Sequence, residues 1–376
     1  MAKILILGGG FGGVVAAERL AKALGDEHQI TLVSRNRRFV FYPALVRLAF
    51  GRCERDDVSF DLRRTMLSRR VNFIEAEVAR VDPYERKVTI AHGEVEGHLA
   101  YDYLIFALGR RLATERITGF FEHAHHLLNV DKALKFGKAV AAFHKGRAVI
   151  GQCRGARLPV PVYETAFALS RLLEERGERQ AVEITVVNPQ PPGLQFGDNN
   201  VARAISGALD KHGIKSRSDF PIEQVTFGAA YNSLGQAVKF DLLMLVPPFQ
   251  GPPAASSLGI ANDESYINVD WAMRVIGHQQ MYANGDAVNL DGPKMGHMAI
   301  HQAEVAAANL VAELAGHEPA SRYKHDMKLV IETGGSDSLY VHEDLWADEP
   351  ASVGHGRFWS WAKQAQEKYW EASHLE

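Results

Sequence analysis

The chain has 376 residues, 46% of them hydrophobic, with 42 lysines and arginines against 45 aspartates and glutamates and a formal net charge of −3. That length supports about two domains with sizeable cores, and the even charge balance excludes an overall field for nucleic acid or anionic lipid. Two widely separated cysteines, Cys53 and Cys153, with no C-x-x-C, imply neither a disulfide framework nor a zinc site.

The N-terminal MAKILIL runs directly into a strand, with no room for a charged region, an apolar core and a cleavage site, so a cytoplasmic protein is the expectation. No apolar run reaches the roughly 18 residues needed to cross a bilayer. Residues 4–34 read as strand, glycine turn, amphipathic helix, strand. Gly8, Gly10 and Gly13 hold the spaced positions of G-x-G-x-x-G, where they allow a tight turn, backbone approach to a pyrophosphate, and close packing of helix on strand. The helix N-terminus adds free N–H groups and a positive dipole, so a dinucleotide site is expected. The second strand ends in Ser34, which can hydrogen-bond a ribose but carries no charge, and Arg35, Arg37 and Arg38 follow it.

Next come VNFIEAEVARVD and KVTIAHGEVEG, read as strands, and YDYLIFALG, an apolar strand closed by Gly109. Residues 146–188 repeat the strand, helix, strand order, but the turn GQCRGARLPVP has no G-x-G-x-x-G and contains Pro159 and Pro161. It has the topology of a second nucleotide unit without its fingerprint. FDLLMLVPPFQG reads as a strand ending in a rigid turn, and QMYANGDAVNL as a strand ending in Gly285-Asp286, where a carboxylate can accept hydrogen bonds from ligand hydroxyls. A helix follows over PKMGHMAIHQAEVAAANLVAELAG, with Pro293 near its start.

GGGFGG, YDYLIFALG and YANGDA together resemble the three FAD-contacting motifs of flavoprotein oxidoreductases with two dinucleotide domains, and the resemblance covers nearly the whole chain. TLVSRN, PVPVYETAFAL, LVPPFQG and PKMGHMAIHQAEVAAANL look most like the sulfide:quinone oxidoreductase branch, with the type II NADH dehydrogenases as near neighbours. The implied fold is α/β, two Rossmann-like dinucleotide-binding domains of the glutathione-reductase-like kind with a short C-terminal tail. The expected divisions are 1–110 and 251–320 for a split FAD domain, 111–250 for a degenerate NAD-binding-like domain, and 321–376 for a C-terminal segment.

The resemblance also implies the FAD site: Gly8, Gly10, Phe11, Gly12 and Gly13 at the pyrophosphate, Ser34 and Arg35 by the adenosine, Pro43, Ala107, Leu108 and Gly109 along the cofactor, Gly285 and Asp286 at the ribityl chain, and Lys294 beside the flavin pyrimidine ring. Glu164 is the expected proton carrier. The sulfide-oxidising enzymes carry a cysteine a few residues before the equivalent of Tyr163-Glu164; here the place is Leu158, and no cysteine follows Cys153. Cys153 is left as a lone nucleophile over the flavin or a buried structural residue. The function implied is transfer of two electrons from a small donor through FAD to a quinone or similar acceptor. The alternatives are an NAD(P)H:acceptor oxidoreductase, and a flavin-binding electron carrier or redox-sensing module with little turnover.

His297 and His301 lie one helical turn apart without an H-E-x-x-H pattern, and His123, His125 and His126 lack a spaced fourth ligand, so no metal is expected. In the C-terminal GRFWSWAKQAQEKYWEASHLE, Phe358, Trp361, Ala362, Ala365 and Tyr369 share one helical stripe, with Lys363, Gln366, Glu367 and Lys368 on other faces. Such a helix can lie in a membrane interface, on the inner face of the membrane, or dock on its own domain or a homodimer partner.

Overall fold

A computed structural model describes residues 1–259, 261–334 and 337–374. Its largest sheet has seven strands, in the order Met281–Ala283, Tyr103–Phe106, Lys3–Leu7, Gln29–Ser34, Asn72–Asp82, Lys87–Gly93 and His98–Ala100. The first five run parallel and the last two antiparallel. Ile4, Leu5, Ile6 and Leu7 are all buried. A parallel strand buried on both faces requires such an unbroken apolar run.

The strand Lys3–Leu7 pairs with Gln29–Ser34 on one side and Tyr103–Phe106 on the other, so the chain changes direction of winding at its carboxyl end. That switch point is where open α/β sheets bind ligands. The helices Phe11–Leu24 and Gly296–Leu314 pack together over this end. The sequence places Pro293 near the start of the latter, and in the structure the helix begins at Gly296.

A second sheet runs Lys215–Arg217, Val182–Val187, Gly146–Gln152, Leu242–Val246, all parallel. With the helix Val160–Glu175 it forms the second nucleotide-like unit. Two small antiparallel sheets are not anticipated from the sequence: Ile222–Thr226 with Ala229–Asn232 and Ala237–Lys239, and Asp326–Glu332 with Ser338–Asp344 and Ser352–His355. The alternation of buried Met327, Leu329 and Ile331 is a legible strand signal for the latter. The C-terminal helix, Arg357–His374, packs against that sheet. Among the described residues no helix is long and apolar enough to cross a membrane.

Candidate functional site

The glycines build a cradle whose inner side is closed and whose outer side is open. Gly8 has φ of +111°, and a Cβ there would fall 2.1 Å from the carbonyl oxygen of Ala107. At Gly13 a Cβ would fall 1.8 Å from the carbonyl oxygen of Gly8, and at Gly12 2.1 Å from Asn284 Oδ1. At Gly10, by contrast, nothing lies within 4 Å. Packing demands glycine at 8, 12 and 13; at Gly10, the N-cap of the helix, the backbone is left open to a ligand. Asn284 is fully buried behind Gly12, and neither its amide oxygen nor its nitrogen has a partner among the described residues. A bound diphosphate with its attendant water would answer both the open backbone and the orphaned amide.

Along the same edge, Ala107 is buried, Leu108 is half-buried, and Gly109, at φ of +68°, opens onto free space. Ser34 is buried, donates from Oγ to the Asn36 carbonyl at 2.8 Å and accepts from the Asn36 N–H at 3.4 Å, so its hydroxyl is engaged in its own loop and one lone pair is left for a ribose. Arg35, Glu75, Ala76, Glu77, His92, Gly93 and Glu94 line a surface cavity of about 340 Å³ at the end of the adjoining strands. Phe11 turns away from the cradle to pack on Phe39, Phe41 and Trp370, with ring centres 5.1, 5.6 and 4.8 Å away.

Farther along the sheet edge, Gly285 donates its N–H to Gln302 Oε1 at 2.7 Å, and Asp286 is ion-paired with Arg110. Pro43 is exposed beside Tyr42, whose ring lies 5.8 Å from the Arg110 guanidinium. Lys294 is buried, donates from Nζ to the Val288 carbonyl and lies 5.0 Å from the centre of the Tyr266 ring. Burial first, then the neighbouring Arg157, pushes its ammonium down to about 7. Tyr266 is a site residue that the sequence does not single out; its hydroxyl is buried with no partner among the described residues. Nothing local in NDESYINVD marks it.

The turn of the second unit is fastened to this edge. Arg157 donates from Nε to the Gly292 carbonyl at 2.9 Å and from a terminal nitrogen to that of Leu290, while its own carbonyl accepts from the Lys294 N–H at 2.7 Å. Cys153, expected as a nucleophile or a core residue, is a core residue: it is fully buried among Phe120, Val149, Val187 and Leu245, and burial pushes its thiol far up. A thiol buried in this way is poorly placed to attack a substrate, which favours the core reading over the nucleophile.

Glu164 sits on the helix Val160–Glu175, buried, and accepts from Lys363 Nζ at 2.6 Å and from the Glu332 N–H at 3.2 Å. Burial raises its carboxyl above the usual range against the pull of Lys363, and Glu332 adds to the rise. Burial alone would lower the Lys363 ammonium; Glu164, Glu332 and Glu367 more than offset it, so the net direction is up. Several carboxylates sharing one buried ammonium hold a proton tightly.

The C-terminal helix docks through a face other than the aromatic stripe. Trp359, Lys363, Glu367 and Trp370 turn inward, whereas Phe358, Trp361 and Tyr369 are 62%, 66% and 73% exposed. Glu367 pairs with Arg47 at 2.7 Å, and the Trp370 ring stacks on Phe39 at 5.0 Å. His297 accepts the Lys328 N–H at 3.1 Å, with burial pushing its ring down to about 4, and His301 is exposed. Among the described residues no group of three or more His, Cys, Asp or Glu side chains could hold a metal ion.

Residues 2–308 match the family described as pyridine nucleotide-disulphide oxidoreductase. The chain belongs to that family. It is an FAD-dependent oxidoreductase, and the open cradle at Gly10 and the strand-end Asp286 fit the cofactor. It is similar to the sulfide-quinone reductase of Aquifex aeolicus, 25% identical over 98% of this chain and 90% of that one. The type II NADH:quinone oxidoreductase of Staphylococcus haemolyticus is 27% identical over 64% of this chain and 60% of its own. Among solved structures, the Aquifex aeolicus sulfide:quinone oxidoreductase superposes with a TM-score of 0.92 at 24% identity, covering 99% of this chain and 91% of that one. NDH2 of Plasmodium falciparum in complex with NADH gives 0.74 at 16% identity, covering 100% and 95%.

Proposed function

We propose that this chain takes two electrons from a small donor and delivers them to a quinone, in the manner of the sulfide:quinone oxidoreductase branch but without a cysteine relay. The observation that carries the reading is the contrast between the two nucleotide units. The first has an open glycine cradle. The second has a proline-bounded turn without the glycine fingerprint, whose Arg157 side chain is bonded to the Leu290 and Gly292 carbonyls and whose Arg157 carbonyl accepts from the Lys294 N–H, an arrangement unlike the open turn that a nicotinamide dinucleotide approaches. With Cys153 sealed in the core, the donor must act on the flavin directly.

FAD, when bound, supplies the two-electron acceptor and donor between the half-reactions. Lys294 places positive charge at the end of the site, and its ammonium, titrating at about 7, can take or give a proton near neutrality. Glu164, its carboxyl raised by burial and paired with Lys363, is placed to exchange a proton in a desolvated position. The outward Phe358, Trp361 and Tyr369 support peripheral contact with a membrane interface, where a quinone resides.

The test is anaerobic absorbance of the FAD-loaded protein after addition of sulfide or of NADH, followed by a short-chain quinone. Rapid loss of the flavin band with sulfide and its return with quinone is the expected result. Rapid bleaching by NADH would move the chain to the dehydrogenase side. Bleaching by dithionite alone would leave a partner-dependent electron carrier.

A further inference from the structure

The strand-end carboxylate of the cofactor site is already engaged. Arg110 pairs with Asp286 through Oδ2, and the two side chains are only 14% and 15% exposed. The guanidinium lies 4.1 Å over the Phe249 ring, and its Nε is buried with no hydrogen-bond partner among the described residues. A desolvated cation with one carboxylate contact and an idle donor is an expensive arrangement unless another negative group completes it. The surroundings share the imbalance. Lys294 and Arg157 add two more cations, and both Arg157 and Arg110 push the Lys294 ammonium down. The opposing carboxylates are Asp286 and the exposed Asp291. The Tyr266 hydroxyl adds a second idle polar group to the same wall.

We infer that Arg110 is a further residue of the flavin site, clamped by Asp286 so that its charge favours uptake of electrons by the cofactor. The inference rests on the FAD assignment. Asp286 offers Oδ2 to Arg110, and Oδ1 is the oxygen that a ribityl hydroxyl would use, so one carboxylate can hold both. Positive charge at this place stabilises the negative charge gained when the cofactor takes up two electrons and one proton. Phe249 and Tyr42 fix the plane of the guanidinium, which keeps the charge in place rather than letting it swing to solvent.

The experiment compares the FAD-loaded wild type with R110Q, R110K and D286N, each measured in excess FAD, by equilibrium reduction against reference dyes. FAD retention after gel filtration and circular dichroism are recorded for each. R110Q is expected to shift the reduction equilibrium at least ten-fold toward the oxidised form, about 30 mV for a two-electron couple. R110K should stay within three-fold of the wild type. D286N, which frees the cation from its counter-charge, should shift the equilibrium the other way and so decides the matter even if R110Q does not fold. The inference is overturned if R110Q retains FAD and leaves the equilibrium within three-fold, if R110Q and R110K shift it equally, or if D286N shifts it in the same direction as R110Q. A wild type that retains no FAD would instead defeat the cofactor assignment.

Discussion

Replacing Lys294 by methionine removes a buried ammonium while keeping the length of the side chain. In the FAD-free protein the lysine titrates at about 7 rather than its ordinary 10.5. The folded state therefore binds fewer protons than the unfolded chain between those values, and stability rises with pH across that window. Applying linkage to a shift from 10.5 to about 7 gives the wild type a gain of about 2 kcal/mol between pH 7 and pH 9 relative to K294M. At about 2 cal/mol/K of unfolding entropy per residue, a chain of this length responds with a rise of roughly 3 °C in the midpoint difference. Thermal melts of both proteins without FAD, followed by tryptophan fluorescence at half-unit pH steps, measure it directly. Taking the difference cancels the tyrosines and cysteines that titrate in both. A difference that stays flat from pH 7 to pH 9, or falls, refutes the argument that desolvation governs Lys294.

The cradle makes paired predictions. Gly10→Ala should leave the melting of the FAD-free protein within about 1 kcal/mol of wild type, the scale of an N-cap change, yet strip FAD from the protein on gel filtration. Gly13→Ala should fail to fold, since its Cβ would meet the Gly8 carbonyl; a soluble, FAD-retaining variant would contradict the geometry. Trp370→Ala should lose about 3–5 kcal/mol of packing in the Phe11, Phe39 and Phe41 cluster, read as faster proteolytic cleavage between Arg357 and His374. Cys153→Ala should bleach with the donor at a rate within two-fold of wild type, and a loss of a hundred-fold would restore the cysteine as a nucleophile.

Those parts of the site that local sterics set are legible in the amino-acid sequence. Gly13 is demanded by the Gly8 carbonyl five residues before it, and Gly8, Gly109 and Gly285 by the positive φ of their turns. The parts set by distant partners are not legible in this way. Lys363 and Glu367 look like solvent residues on a hydropathy wheel, and they turn inward only because Glu164, Glu332 and Arg47, on other elements, supply their counter-charges. Arg110 reads as an ordinary loop arginine until the strand Met281–Ala283 brings Asp286 beside it. The buried setting of Cys153 follows from the strands Val182–Val187 and Leu242–Val246 closing around it, which spacing along the chain does not reveal.

The pairing of Met281–Ala283 with Tyr103–Phe106 also sets a timetable for biosynthesis. The glycine turn leaves the ribosome first, but Asp286, Lys294 and the helix that packs across it follow only after the whole second unit has emerged. Trp370, which covers Phe11, comes later still. A chain that has emerged from the ribosome as far as residue 250 holds a completed second unit and an unfinished first one, its edge strand Tyr103–Phe106 bare on one side and its apolar face uncovered. Closure of the cofactor site thus waits for Met281–Ala283 and Gly296–Leu314, and until they arrive the bare edge strand is open to pairing with another chain.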